Sequence, residues 1–111
     1  MIGPIPSKYR LYTQPTDMRK GFYGLAGIVN NNFKAKLQSG DGFVFINKRR
    51  TLMKILIWQP TGFVIIYKKL ERGTFELPET QVAIVSIDHT KLIMILEGIM
   101  MKSIRMRKRL K

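Results

Sequence analysis

Lys48-Arg49-Arg50 is a run of three consecutive bases in a chain of 111 residues whose 20 lysines and arginines face only 7 aspartates and glutamates. Other bases gather at Arg19-Lys20, at Lys68-Lys69 with Arg72, and at Arg105, Arg107, Lys108 and Arg109. Cations grouped in this way on a folded scaffold neutralise phosphates, and nearby aromatics can stack on bases. Scattered solvated charges would only keep a protein soluble. At a net charge of +13, self-repulsion destabilises the compact state until an anionic partner relieves it, which favours binding over mere solubility. Trp58, Phe63 and Tyr67 offer rings, although aromatics within apolar strands usually belong to the core.

Catalysis has less to draw on. Asp17 and Asp88 read as helix caps, Asp41 as a turn residue, and Glu71 as a surface partner for Lys68, Lys69 and Arg72. Glu76 and Glu79 flank Pro78, and Glu97 precedes Gly98. Metal-assisted phosphoryl transfer needs carboxylates that converge on an ion, and nothing in the spacing of Asp17, Asp41 and Glu71 requires it. His89 is the single histidine, at the start of a helix, and reads as a solvated or capping residue. There is no cysteine, and no phosphate-cradling glycine loop, nucleophile elbow or zinc spacing. No enzyme activity, cofactor or metal is expected.

The elements that position the bases follow from periodicity. Phe43 to Ile46, Leu52 to Trp58 and Phe63 to Tyr67 are short apolar runs bounded by turn residues, as in an antiparallel meander. Leu52 to Trp58 is apolar on both faces except at Lys54, which predicts a central strand. Gln59-Pro60-Thr61-Gly62 fits a tight turn. In such a meander the 48–50 turn and the 67–72 segment fall at one end of the sheet. Lys8 to Tyr12 alternates and predicts a half-buried strand. Met18, Phe22, Leu25, Ala26 and Val29 recur at helical spacing, with Thr16 or Asp17 as cap and Asn30-Asn31-Asn32 as terminator. Arg19 and Lys20 then fall in the helix's first turn, where anions are favoured. Gly21, Gly24 and Gly27 predict close packing of that helix on the sheet. Thr74 to Leu77 could add a short strand, residues 79–85 fit either a strand or a linker, and a second helix is expected over about 88–99.

Size predicts one domain, residues 1–101, followed by a basic tail, residues 102–111, that folds only on a partner. Residues 1–75 carry 13 bases and 3 acids, residues 76–101 carry 1 and 4, and the last ten carry 6 and 0. No apolar run approaches the roughly 20 residues of a membrane span, and the first residues lack the pattern of a secretory leader. A cytoplasmic protein with no membrane partner is expected.

Read in order, Pro15-Thr16-Asp17-Met18-Arg19-Lys20, Gly24-Leu25, Phe43 to Arg50, Lys54-Ile55-Leu56, Gly62-Phe63 and Tyr67 to Phe75 resemble one family. It is the small accessory protein, called TnpB, of the insertion-sequence 66 group of bacterial transposons, unrelated to the RNA-guided nuclease of the same name. The resemblance runs from about residue 9 to residue 99, where Leu92 to Gly98 is similar to the family's last helix. It implies a role in transposition beside a separate, larger transposase that holds the catalytic carboxylates, and it brings no catalytic residue with it. The chain departs from the pattern at Tyr23 and Thr51, where acids are usual. Both departures remove negative charge and argue further against a carboxylate centre.

The expectation is therefore an α+β domain: an antiparallel sheet of four or five strands, two helices and a basic C-terminal tail. Its function is expected to be non-catalytic DNA binding in support of transposition, with weak sequence preference. Arg19, Lys20, Lys48, Arg49, Arg50, Lys68, Lys69 and Arg72 would contact phosphates, and Arg105, Arg107, Lys108 and Arg109 would add affinity. The alternative is a protein-interaction module that docks on the transposase or a sister accessory protein through the glycine stripe and the apolar strand edges. Either role is compatible with homo-oligomers.

Overall fold

The computed structural model describes residues 5–97. Five strands, β1 (Lys8–Tyr12), β2 (Gly42–Ile46), β3 (Leu52–Gln59), β4 (Gly62–Lys69) and β5 (Ile84–Asp88), form one sheet in the order β4-β3-β2-β1-β5. Two helices accompany them, α1 (Phe22–Asn32) and α2 (His89–Leu96). This is an α+β domain, and the expected meander is β2-β3-β4, with Ile55 opposite both Val44 and Ile66. One pair is parallel: β1 runs alongside β2, with Leu11 beside Val44. A parallel pair needs a crossover of a dozen or more residues, and residues 13–41, which contain α1, supply it. Residues 70–83 carry the chain to the far edge, where β5 pairs antiparallel with β1. Periodicity fixes which side chains share a face but not the direction of the neighbouring strand, so only the structure reveals the parallel pair.

Helices cover both faces. On one, Leu25 and Val29 of α1 and the following Phe33 pack on Phe43, Phe45 and Leu56. On the other, Leu92 and Ile95 of α2 share a cluster with Tyr9, Leu11, Ile87, Met53 and Phe75. Each such large apolar side chain contributes about 1.5–3 kcal/mol when fully buried. Coverage on both sides explains why all five residues of β2 are buried. β3 is an interior strand, as its apolar faces predict, flanked by β4 and β2.

Other local expectations change for physical reasons. α1 begins at Phe22 rather than Met18, because Asp17 to Lys20 close a turn in which Lys20 N–H donates to Asp17 O at 3.1 Å. Gly21 is the N-cap and has no side-chain cap, so neither Thr16 nor Asp17 fills that role. The asparagines lie within the helix; Asn32 Nδ2 donates to Ile28 O at 3.0 Å, and the helix ends at an extended Phe33. Thr74 to Leu77 is no strand. Phe75 is instead fully buried as a plug in the α2-side core, and its N–H donates to Arg50 O at 2.7 Å. Asp88 does cap α2, accepting from Lys91 N–H at 2.8 Å.

The glycines of α1 do not mediate packing on the sheet: a Cβ at Gly21 or Gly27 would meet nothing within 4 Å. At Gly24 a Cβ would lie 2.9 Å from Lys20 Cβ, so that glycine admits the turn folded back against the helix. No helix among the described residues is long and apolar enough to cross a membrane. The expected tail, residues 102–111, and the end of the expected second helix beyond Glu97 lie outside the described residues.

Candidate nucleic-acid interface

The β2–β3 tip is built by one side chain. Asn47 Oδ1 accepts from Thr51 N–H at 2.8 Å and Leu52 N–H at 3.0 Å, while its Nδ2 donates to Thr51 Oγ1 at 3.1 Å. Its backbone carbonyl accepts from Arg50 N–H at 3.0 Å, and Arg50 follows in the left-handed region at φ 59°. A turn closed by a left-handed residue is a common hairpin geometry. It leaves Lys48, Arg49 and Arg50 exposed on a rigid loop.

Two further segments are fastened to this tip. Leu70 N–H donates to Thr51 O at 2.9 Å and Phe75 N–H to Arg50 O, so Arg72 is carried on a loop tied to the tip at both ends. On the other side, Thr16 N–H donates to Ile46 O at 2.9 Å, which sets the Pro15–Lys20 turn beside the end of β2. Lys54 holds that turn from below. Its ammonium donates to Met18 O at 2.8 Å and Lys20 O at 2.9 Å, and lies 4.9 Å from the Tyr67 ring centroid.

The sequence-derived bases therefore meet at one end of the sheet, but not equally. Lys48, Arg49, Arg50, Lys69 and Arg72 are exposed and make no ion pair among the described residues. Lys20 is also exposed and unpaired, with its stem against Gly24. Arg19 is not in the first turn of α1; it belongs to the preceding turn. Its guanidinium grips Asp17, Nε at 3.0 and 3.1 Å and Nη2 at 2.7 Å. The side-chain hydrogen bond from Arg19, helped by that residue's backbone N–H, holds the Asp17 carboxyl at about 2. Lys68 points to the opposite face from Tyr67 and Lys69 and stands 4.0 Å from Glu97. Glu71, expected to pair with these bases, makes no ion pair among the described residues. Arg105, Arg107, Lys108 and Arg109 lie outside the described residues.

The carboxylates do not gather here. Asp41 precedes β2 at the opposite end of the sheet and pairs with Arg10 at 2.8 Å, a strand's length from Asp17. Among the described residues no group of three His, Asp or Glu side chains is placed to hold a metal ion. The end of the sheet is thus chemically a set of free cations around a shallow recess, suited to binding phosphates.

The family described as IS66 Orf2-like protein matches residues 7–106. The chain belongs to that family. Membership gives the IS66 Orf2-like protein an accessory role in transposition of the element. It is 37% identical over 79 residues to the uncharacterized protein y4jC of Sinorhizobium fredii, spanning 70% of this chain and 68% of that one. To the uncharacterized protein y4hO of the same organism it is 33% identical over 87 residues, spanning 78% and 76% respectively. No solved structure matches the IS66 Orf2-like chain.

Two residues of this interface, Lys54 and Asn47, were missed in the sequence reading, and a third, Tyr67, was weighed toward the core. Lys54 was visible as the one charge in an apolar strand, and a charge there needs partners, which are the Met18 and Lys20 carbonyls. Asn47 before a basic turn is an ordinary local hydrogen-bonding signal. Tyr67, offered by the sequence as a stacking ring but weighed toward the core, is 54% exposed on the edge strand β4.

Proposed function

We propose that this IS66 Orf2-like protein is a non-catalytic, cytoplasmic DNA-binding accessory of transposition that grips phosphates with the tip end of its sheet. The observation that carries this reading is the convergence of Lys48, Arg49, Arg50, Lys69 and Arg72 on one rigid end, with no internal ion pairs among the described residues to occupy them. Contacts to phosphates carry no sequence information, so the reading predicts weak sequence preference, with action on element ends or on the transposase–DNA complex. The tail bases add affinity. If about five phosphates are contacted, log K falls with log salt at a slope of about −4 to −5. A gel-shift titration over a salt series checks this; a slope near zero rules the reading out.

A second reading, docking on the transposase without DNA contact, draws support from the edge strand β4, where Ile66 and Tyr67 are exposed. It predicts that the two proteins co-purify after nuclease treatment. Complete loss of association under that treatment counts against it.

A further inference from the structure

We propose that the recess between the Pro15–Arg19 turn and the Asn47–Arg49 tip holds one unpaired nucleotide of a DNA single strand, with its base stacked on Tyr67. The inference rests on the DNA-binding reading above and specifies which form of DNA the site takes. The recess is shallow and open to solvent, with a volume of about 520 Å³. Its wall combines two unlike chemistries. Leu52, Pro15 and Tyr67 give an apolar and aromatic surface, while Lys48 and Arg49 supply free cations. A phosphate alone would need only the cations, and an apolar ligand only the ring. A nucleotide needs both.

Tyr67 is suited to the aromatic role. Its ring is 54% exposed, and the ammonium of Lys54, fixed by two backbone carbonyls, lies 4.9 Å from its centroid. The ring is thus positioned before any ligand arrives, which lowers the ordering cost of binding. Asp17 gives the recess a polarity. Its carboxylate takes up the Arg19 guanidinium, so phosphate is drawn toward the unpaired Lys48 and Arg49 and away from the acid. Thr16, on the same wall, is 4% exposed and its hydroxyl has no hydrogen-bond partner, a deficit a polar base edge relieves if the side chain rotates toward it. A base within a duplex is stacked on its neighbours and cannot reach Tyr67, whereas a base in a single strand can. Stacking is tolerant of sequence because every base has a π-face.

The test is fluorescence anisotropy of the full chain with a labelled single-stranded oligonucleotide and with the blunt duplex of the same sequence. Tyr67→Ala is expected to weaken single-strand binding on the order of ten- to hundredfold and duplex binding by far less, while Tyr67→Phe retains the wild-type affinity for both. As a measurement independent of the variant's folding, the ring resonances of Tyr67 in the wild-type protein are expected to shift upfield on addition of the single strand. Single-strand affinity unchanged in a folded Tyr67→Ala, or ring resonances that do not move, overturns this inference while duplex binding still supports the parent reading. If neither DNA form binds the wild-type protein, the parent reading falls and this inference with it.

Discussion

At the scale of single residues, Asp17 and Arg19 show how a base can be present at a basic surface and yet not be free. The folded-state pKa of Asp17 is depressed to about 2, chiefly by the side-chain hydrogen bond from Arg19. A depressed carboxylate pKa means that the pair's contribution is present above the ordinary value of 3.8 and is lost as pH falls through about 2. A carboxyl-carbon NMR titration is expected to give a midpoint for Asp17 near 2, rising toward 3.8 in Arg19→Ala; an ordinary midpoint in the wild-type protein contradicts the pairing. Arg50 presents the converse case. It occupies a left-handed backbone position, φ 59°, that disfavours any side chain. Arg50→Gly relieves that conformation, so chemical denaturation is expected to show stability unchanged or raised by up to about 1 kcal/mol. A loss larger than that would mean the Arg50 side chain supports the tip. Both details were beyond the sequence: Asp17 followed by a basic pair looks the same whether it caps a helix or grips a neighbour, and only the turn at Asp17–Lys20 decides it.

At the scale of elements, the strands were legible because Phe43 to Ile46, Leu52 to Trp58 and Phe63 to Tyr67 are short apolar runs, rich in β-branched and aromatic residues, within clear turn signals. The cap of α2 at Asp88 was legible for the same local reason. What the sequence hid depends on contacts distant along the chain. The start of α1 is set by the turn at Asp17–Lys20, which Lys54 fastens from a different strand. Phe75 sits in a segment with strand-like composition but serves as a core plug, because its N–H is taken by the tip carbonyl of Arg50 rather than by a neighbouring strand. Lys54 is therefore the tie between sheet and turn. Lys54→Met keeps the apolar stem and leaves two carbonyls without their donor, at a cost of about 1–3 kcal/mol. Thermal melting is expected to show that loss, and the Thr16 amide, bonded to Ile46 O, is expected to exchange faster with solvent. Unchanged Thr16 exchange would show that the turn holds itself.

At the scale of the whole molecule, the sheet separates two environments. One end carries the tip, the Pro15–Lys20 turn and the loop holding Arg72. The other carries Asp41 with Arg10, and Asp88 capping α2. The sequence already placed the 48–50 and 67–72 clusters together, since strand reversal in a meander dictates it. The parallel pairing of β1 with β2 then brings the Pro15–Lys20 turn to the same end, a consequence of strand direction that periodicity does not encode. The molecule's excess charge thus has a geography, and its meaning lies in where the cations sit rather than in how many there are. The most direct measurement compares two variants that lose the same charge at opposite ends. Lys48→Ala/Arg49→Ala/Arg50→Gly strips the tip, while Lys8→Ala/Lys36→Ala/Lys91→Ala strips exposed bases placed near the start of β1, ahead of β2 and in α2. In a duplex-DNA titration over a salt series, the tip variant is expected to lose about 2.7 units of salt slope, from three phosphate contacts, and the distal variant to keep the wild-type slope. Equal losses in the two variants would contradict a localised phosphate-binding end and leave only the diffuse attraction of a cationic protein for a polyanion.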